Sequence, residues 1–391
     1  MKSRRTKRHT QRFELWIALF SVGIFLPALV QYVAILPRME GERPVISYLG
    51  DFVNTHHRRK PSTRSLSNST ESTSCMVHGE YFTVPPVPHF IIPGAQKSGT
   101  SALYEFLNEH PALHGSPNFE THFFDWYHPA DDDKARVKWL REHNFSSDLS
   151  EEDYHCALKK VYADNFLPIP DGSQITFEKT PSYLFLRRVP ELIHSLCPWT
   201  KIVIILRNPI ERAFSHYRMA IRTYNQSFEE LVDQEIETMQ KIGLSNAPSR
   251  DKQYTENDQR FNIPNLTQDL LDRLHWKHYR RRFANNYLQR SMYAPQIHHW
   301  MKYFPLHDKM LVVNYERFAS NPQQVYNQIL SYVGAGPYTP KDGFKTKHNT
   351  KKKQSLESIS PDLRSYLVQF FRPYNDQLAT LLGEDWRNVW D

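Results

Sequence analysis

The sequence predicts an α/β fold: a P-loop-like parallel β-sheet flanked by helices, preceded by one N-terminal transmembrane helix. Three observations carry this. From residue 86 onward, strand-like apolar runs alternate with helical segments, the pattern of a parallel sheet covered by helices. Lys201-Ile202-Val203-Ile204-Ile205-Leu206 is an unbroken aliphatic run, as expected of a strand buried on both faces. His89-Phe90-Ile91-Ile92-Pro93-Gly94 leads into a glycine-bounded loop and a helix start, an order that gathers backbone N–H groups where anions bind.

The N-terminal part comes first. Residues 1–14 hold six basic side chains against Glu14, so this tail carries +5 of the chain's net +7. The remaining body is nearly neutral, which argues against a broadly basic nucleic-acid binder. Residues 15–36 carry no charge, and about 20 apolar residues span a hydrocarbon core. No small-residue cleavage site follows, which favours an uncleaved signal-anchor at 15–37 over a cleaved leader. The basic tail then stays cytosolic and the rest is lumenal, a single-pass type II arrangement. Residues 38–85 are polar and rich in Ser and Thr and read as a stem with too little apolar content for a core. The domain is expected over 86–391. Four sequons, at Asn68, Asn144, Asn225 and Asn265, agree with a lumenal glycoprotein. Of the three cysteines, Cys156 and Cys197 could bridge, leaving Cys75 free or paired between chains.

Within the domain, Gln174–Lys179, Lys201–Leu206 and Met310–Val313 read as further strands. Asn208-Pro209 caps a helix that runs through Ser215 and Arg218, with Pro at the first helical position. Residues 219–280 are charged and irregular and read as an insertion or substrate-facing lid. Tyr293, Ile297, Trp300, Met301 and Phe304 form one side of an amphipathic segment. Asn321-Pro322 and Ser360-Pro361 cap two more helices, the last carrying Leu367, Phe370 and Phe371.

The loop after the first strand is the richest signal. Gly94 and Gly99 stand as Walker A glycines stand, but Thr100 and Ser101 follow where Lys and Ser/Thr would be, and the lysine has moved to Lys97. The loop is built for an anionic nucleotide, not a magnesium-bound one. Arg207 sits where the aliphatic strand ends, the place where open α/β sheets bind ligands, and Ser215 lies two turns further. Glu120-Thr121-His122-Phe123-Phe124-Asp125 sets ionisable groups among phenylalanines. If the segment is extended, Glu120 and His122 share a face, and desolvation by the rings should raise the carboxylate's pKa toward a general base's. Metal ligation is the rival reading of this cluster, weak without a second ligand pair. Lys179 ends another strand and could stabilise charge on a transferred group. Five lysines between Lys345 and Lys353 could cover an anionic ligand.

Taken in order, these motifs, the Glu120–Asp125 run extending to Trp126, with Glu178-Lys179-Thr180-Pro181, Leu206-Arg207-Asn208-Pro209-Ile210-Glu211-Arg212, Arg290-Ser291-Met292-Tyr293 and Phe371-Arg372-Pro373-Tyr374-Asn375, give a chain that resembles the Golgi carbohydrate sulfotransferases. These use 3′-phosphoadenylyl sulfate (PAPS) as co-substrate, and the chain is most similar to the heparan sulfate 3-O- and N-sulfotransferase group. The resemblance implies that Lys97, Ser98, Gly99, Thr100 and Ser101 hold the 5′-phosphosulfate and that Arg207 and Ser215 bind the 3′-phosphate. It implies Glu120 as general base supported by His122 and Asp125, with Lys97 and Lys179 beside the transferred sulfuryl group. Arg290 and Tyr293 would lie near cofactor or acceptor, and Lys347 and Asn349 would close over the cofactor. The implied acceptor is a glycosaminoglycan-like polysaccharide, the implied compartment the Golgi membrane, and no metal is required. The heparan enzymes carry a disulfide-closed loop before the last helix; this chain has no cysteine there, which keeps a chondroitin-type or other non-heparan acceptor open. An inactive lumenal carbohydrate-binding protein and a metal-dependent kinase are the competing functions.

Overall fold

The computed structural model describes residues 73–77, 80–127, 133–167, 174–220, 226–241, 243–250, 259–261, 286–345 and 358–390. The basic tail at 1–14, the expected anchor at 15–37, most of the expected stem, and Lys347 and Asn349 lie outside the described residues. Among the described residues, no helix is long and apolar enough to cross a membrane.

Five parallel strands form the central sheet. They are β3 (Phe90–Gly94), β4 (Leu113–Gly115), β5 (Ile175–Lys179), β6 (Lys201–Leu206) and β7 (Met310–Asn314), in the spatial order β4-β5-β3-β6-β7. The chain starts at the centre, builds one flank, then crosses to build the other. The crevice at such a reversal, beyond the carboxyl ends of the strands, is where this kind of sheet receives ligands. The expected strands are all present; β4, a short edge strand, was not anticipated.

Side-chain alternation divides the sheet's two faces between separate cores. Ile91, Ile202, Ile204 and Leu206 point into one, with Tyr183, Ile193, Tyr293 and Trp300. Phe90, Ile92, Phe177, Val203, Ile205 and Val313 point into the other, with Leu103, Leu107, Tyr326 and Ile329. Every β6 residue from Ile202 to Leu206 is buried, as its continuous aliphatic run requires.

The flanking helices follow sequence signals. α1 (Thr100–Asn108) starts after Gly99, whose φ of 82° is left-handed. A Cβ there would also stand 2.7 Å from the Tyr315 ring, so the position admits glycine only. α2 (Asp133–Glu142) and α3 (Glu151–Ala163) follow, the latter capped by Ser150. α4 (Arg188–Leu196) leads into β6. α5 (Pro209–Ala220) is capped as expected: the Asn208 side-chain oxygen accepts from the backbone N–H groups of Ile210 (3.0 Å) and Glu211 (3.2 Å). α7 (Tyr293–Trp300) buries Tyr293, Ile297 and Trp300, and Phe304 beyond it, as its periodicity indicates. α8 (Tyr315–Ser320), α9 (Pro322–Val333) and α10 (Pro361–Leu382) complete the fold. Asn321 precedes α9, but its amide bonds the Gln324 side chain and does not cap the helix.

Three expectations need correction. The stem reading ran to residue 85, but Thr73–Val77 and Glu80–Val84 form an antiparallel hairpin, β1 and β2, whose Cys75, Val77 and Val84 are buried in the first core. The charged span 219–280 is not, in its described part, a lid: α6 (Phe228–Lys241) buries Phe228, Leu231, Val232, Ile236 and Met239 against Leu363, Tyr366 and Phe370 of α10. The cysteine pairing is Cys75–Cys156, with Cα atoms 5.7 Å apart, linking β1 to α3. Cys197 ends α4 facing the core and is a buried free thiol, its Sγ 3.8 Å from the Val87 carbonyl oxygen. Burial pushes that thiol's pKa far up, away from reactivity.

Candidate active site

Three strand ends meet at one edge of the sheet. β3 lies between β5 and β6, with Ile92 opposite Lys179 and Gly94 opposite Ile204. The Thr180 N–H donates to Ile92 O (3.2 Å), and Ala95 N–H donates to Ile205 O (2.8 Å). The loops carrying Lys97, Lys179 and Arg207 are thereby fastened to one another by backbone bonds.

The first half of the site is cationic. Lys97 sits in the loop with a left-handed φ of 72°. Arg207 Nη1 donates to Lys97 O (3.2 Å), and its guanidinium lies 5.1 Å from the centre of the Tyr315 ring. Tyr293, one of the expected cofactor contacts, donates its hydroxyl to Arg207 O (2.8 Å), so it braces the arginine's backbone. Burial lowers the Lys97 pKa, and Arg207, Arg212 and Arg218 lower it further. The charges that shift Lys97 are all positive, an arrangement that a bound anion would favour. Ser98 and Thr100 are buried beneath the loop, while Ser215 on α5 is half-buried.

Arg212 was not singled out from sequence. It is fully buried, donating to Ser291 Oγ (2.5 Å), to the Tyr287 carbonyl and to Gln96 O (3.4 Å). It ties the nucleotide loop to α5 and to the segment before α7. Glu235 of α6 accepts from the backbone of Leu288 (3.0 Å) and Gln289 (2.9 Å), and burial pushes its pKa up to about 7. The only hint in the sequence is the position of Arg212 five residues after Arg207 on the capped helix. Arg290 is 4.7 Å from the Phe185 ring centre.

The second half is a chain of charges. Lys179, with no exposed side-chain surface, donates from Nζ to Glu120 Oε1 (2.7 Å), while Glu120 stays 31% exposed. The other carboxylate oxygen lies 3.2 Å from His122 Nε2, and His122 Nδ1 is 3.0 Å from Asp125 Oδ2, which also accepts from Ser182. His122 reaches this position through a left-handed φ of 52°, and Phe123–Tyr127 then forms a π-helical turn, not the extended segment expected.

The pKa expectation for Glu120 is reversed. Burial does act to raise it, but the His122 hydrogen bond and the Lys179 charge outweigh burial and hold it below the ordinary range. Burial likewise lowers His122, and Asp125 and Glu120 overcome that to push it up to about 9. Burial lowers Lys179, partly offset by Glu120. Behind them, Glu178 is fully buried, accepting from Thr121, Tyr162 and Thr180 hydroxyls, and burial raises it to about 7. The ionised carboxylate facing the cleft is thus Glu120, backed by a more weakly acidic neighbour. Among the described residues, no group of three or more His, Cys, Asp or Glu side chains is arranged to hold a metal.

A phosphate-type loop, clustered cations and an ionised carboxylate beside a buried lysine are thus gathered at the strand ends. Residues 88–250 match a family model described as the sulfotransferase family, and the chain carries a sulfotransferase family domain. Among its relatives, human heparan sulfate glucosamine 3-O-sulfotransferase 3B1 is 26% identical over 326 residues, covering 78% of this chain and 65% of the relative. The membrane-associated sulfotransferase kil1 of Dictyostelium discoideum is 21% identical over 387 residues, covering 86% and 73%. Human bifunctional heparan sulfate N-deacetylase/N-sulfotransferase 3 is 25% identical over 321 residues, covering 77% of this chain and 30% of that enzyme. The chain thus spans a little under two thirds of the length of human heparan sulfate glucosamine 3-O-sulfotransferases 3B1 and 3A1, and 72% of that of 3-O-sulfotransferase 6. Of solved structures, a sulfotransferase from Alicyclobacillus acidocaldarius aligns with a TM-score of 0.49 and 23% identity, covering 77% of this chain and 99% of that one.

Proposed function

We propose that this protein transfers a sulfuryl group from PAPS to a hydroxyl or amine of a carbohydrate acceptor, a glycosaminoglycan-like polysaccharide, with Glu120 as general base. The observation that carries the reading is the convergence of Lys97, Arg207 and Arg212 on one side of the strand ends with the Lys179–Glu120–His122–Asp125 chain on the other. In this reading Lys97 to Ser101 hold the 5′-phosphosulfate, and Arg207 and Ser215 hold the 3′-phosphate. A ligand with anionic groups at both ends fits loops whose cations repel one another without it. Lys347 and Asn349 are assigned to closing over the nucleotide.

Glu120 would take the acceptor proton as the acceptor oxygen bonds to sulfur and the bond from sulfur to the phosphate oxygen breaks. Each carboxylate oxygen already accepts one hydrogen bond, but a carboxylate has about four acceptor positions, which leaves room for the incoming hydroxyl. Lys179 and protonated His122 keep the carboxylate ionised at neutral pH and fix its orientation, with Asp125 holding the imidazole. Positive charge at Lys97 and Lys179 would offset charge developing on the leaving phosphate and the transferred group. Positioning and electrostatics do most of the work in the analogous phosphoryl transfers.

We place the protein in the Golgi membrane through a signal-anchor at 15–37, with the domain lumenal and glycosylated. The Cys75–Cys156 crosslink supports an oxidising compartment, and Asn144 of one sequon is exposed. The test is transfer of radiolabelled sulfate from PAPS to desulfated heparan, chondroitin and other polysaccharides, with and without EDTA. Transfer that survives EDTA is expected. Absence of transfer to every polysaccharide, or its abolition by EDTA, overturns the reading.

A further inference from the structure

Arg207 and Asn208 form the short turn between β6 and α5. The turn is held at its backbone as well as at its guanidinium. The Arg207 carbonyl accepts the Tyr293 hydroxyl (2.8 Å), and the Asn208 N–H donates to Glu316 Oε1 (2.9 Å). The guanidinium donates to Lys97 O (3.2 Å) and lies 5.1 Å from the Tyr315 ring centre. Tyr293 opens α7, and Tyr315 and Glu316 open α8, so these supports come from elements distant in sequence.

One side chain touches two of the supports. Trp390, in the segment after α10, is 8% exposed. Its Nε1–H donates to Glu316 Oε2 (2.8 Å), and its ring lies 5.8 Å from the Tyr293 ring. Glu316 Oε2 also accepts from Asn314 Nδ2 (3.0 Å). With donors on both oxygens, the carboxylate cannot turn without leaving a donor unpaired away from water, which costs more than a typical hydrogen bond contributes. The segment carrying Trp390 is fastened to α8 a second time, because Arg317 donates to the Asp385 carbonyl oxygen (2.7 Å). Trp386 packs on Trp390 at 5.8 Å, edge to face. A guanidinium holds a phosphate through paired, directed N–H bonds, so its grip depends on where its backbone is placed.

We propose that Trp390 is a positioning residue for the nucleotide: through Glu316 and Tyr293 it sets the backbone of Arg207, and thereby the grip on the nucleotide's 3′-phosphate. This inference rests on the assignment of Arg207 to that phosphate and deepens it. Calorimetry on the full chain tests it with two probes, adenosine 3′,5′-bisphosphate and adenosine 5′-monophosphate, which differ by the 3′-phosphate alone. Trp390→Phe keeps a ring beside Tyr293 and removes the N–H given to Glu316. Glu316→Gln keeps an oxygen for the Asn208 N–H and turns an amide NH2 against the donors of Asn314 and Trp390.

Each variant should weaken bisphosphate binding about fivefold or more, the size of one lost hydrogen bond, and move monophosphate binding less than about twofold. In an Arg207→Ala background the same substitutions should change bisphosphate binding less than about twofold, because the arginine through which they act is gone. Unchanged bisphosphate affinity in Trp390→Phe, while Arg207→Ala lowers it, overturns the inference and leaves the phosphate reading standing. Equal losses for both nucleotides, or losses that persist undiminished without Arg207, make Trp390 a support of the fold alone and overturn it too. A wild-type protein that binds the two nucleotides equally removes the Arg207 assignment and this inference with it.

Discussion

Replacing Glu120 by Gln changes the site by one proton acceptor. The amide oxygen can still accept from Lys179 Nζ, now 2.7 Å from Oε1, so the buried ammonium keeps a partner and the fold is retained. The amide nitrogen then faces His122 Nε2, which lies 3.2 Å from Oε2. Two donors oppose each other there, and the imidazole loses one of the two carboxylates that raise its pKa to about 9. Loss of a positioned general base costs roughly 10²- to 10⁴-fold in rate, about 3–5 kcal/mol of barrier. Glu120→Gln should therefore lower kcat by that factor, leave PAPS affinity by calorimetry within about twofold, and move the His122 titration followed by NMR downward from about 9. A kcat within tenfold of wild type would refute the base assignment. A rate loss with an unmoved His122 titration would refute the coupling between the two side chains.

Other outcomes follow from the same geometry. Arg207→Ala should weaken PAPS binding by roughly 10- to 150-fold, since hydrogen bonds to charged groups contribute about 1.5–3 kcal/mol; unchanged affinity by calorimetry would count against its phosphate role. Cys75→Ser should cost about 2–4 kcal/mol in denaturant unfolding, because the crosslink spans a sequence separation of 81, whereas Cys197→Ser should leave the crosslinked peptide intact by mass spectrometry. The pH dependence of stability has a definite sign. Buried Glu178 and Glu235 are raised from the ordinary 4.5 to about 7, so their stabilisation is full below 4.5 and is lost as pH rises through about 7. His122, raised from 6.5 to about 9, contributes stability that is full below 6.5 and lost as pH rises through about 9. These groups act to lower the Tm between pH 5.5 and pH 9, so Glu178→Gln should show a smaller fall, or a larger rise, in Tm across this range than wild type; an identical pH profile would contradict the assignment.

What the sequence disclosed, and what it hid, divides along the distance between interacting residues. The strand ends at Gly94, Lys179 and Leu206 were readable because each is a local pattern of apolar run, stop and cap. The 310–314 strand and α10 were readable for the same reason. The direction of the Glu120 shift is not legible from the adjacent phenylalanines, because the groups that set it are His122, turned toward it by a left-handed backbone, and Lys179, 59 positions away. The span beginning at 219 looked like a lid because its charges mask a helical stripe: Phe228, Leu231, Val232, Ile236 and Met239 recur at helix spacing and are buried. Arg212 closes the Leu206–Arg212 motif, but nothing local gives it a role: its partners Ser291, Tyr287 and Gln96 come from distant segments. The cysteine pairing depends on which helix face opposes the hairpin, and spacing alone does not encode that.

The bond between Cys75 and Cys156 has a mechanical consequence. Strand β1 is the first described part of the chain, and it is bolted to α3, whose Tyr162 bonds Glu178 at the rear of the sheet. A load arriving from residues upstream would therefore meet this covalent bond, and through it α3 and the buried Glu178, before it reached the nucleotide loop between Gly94 and Gly99.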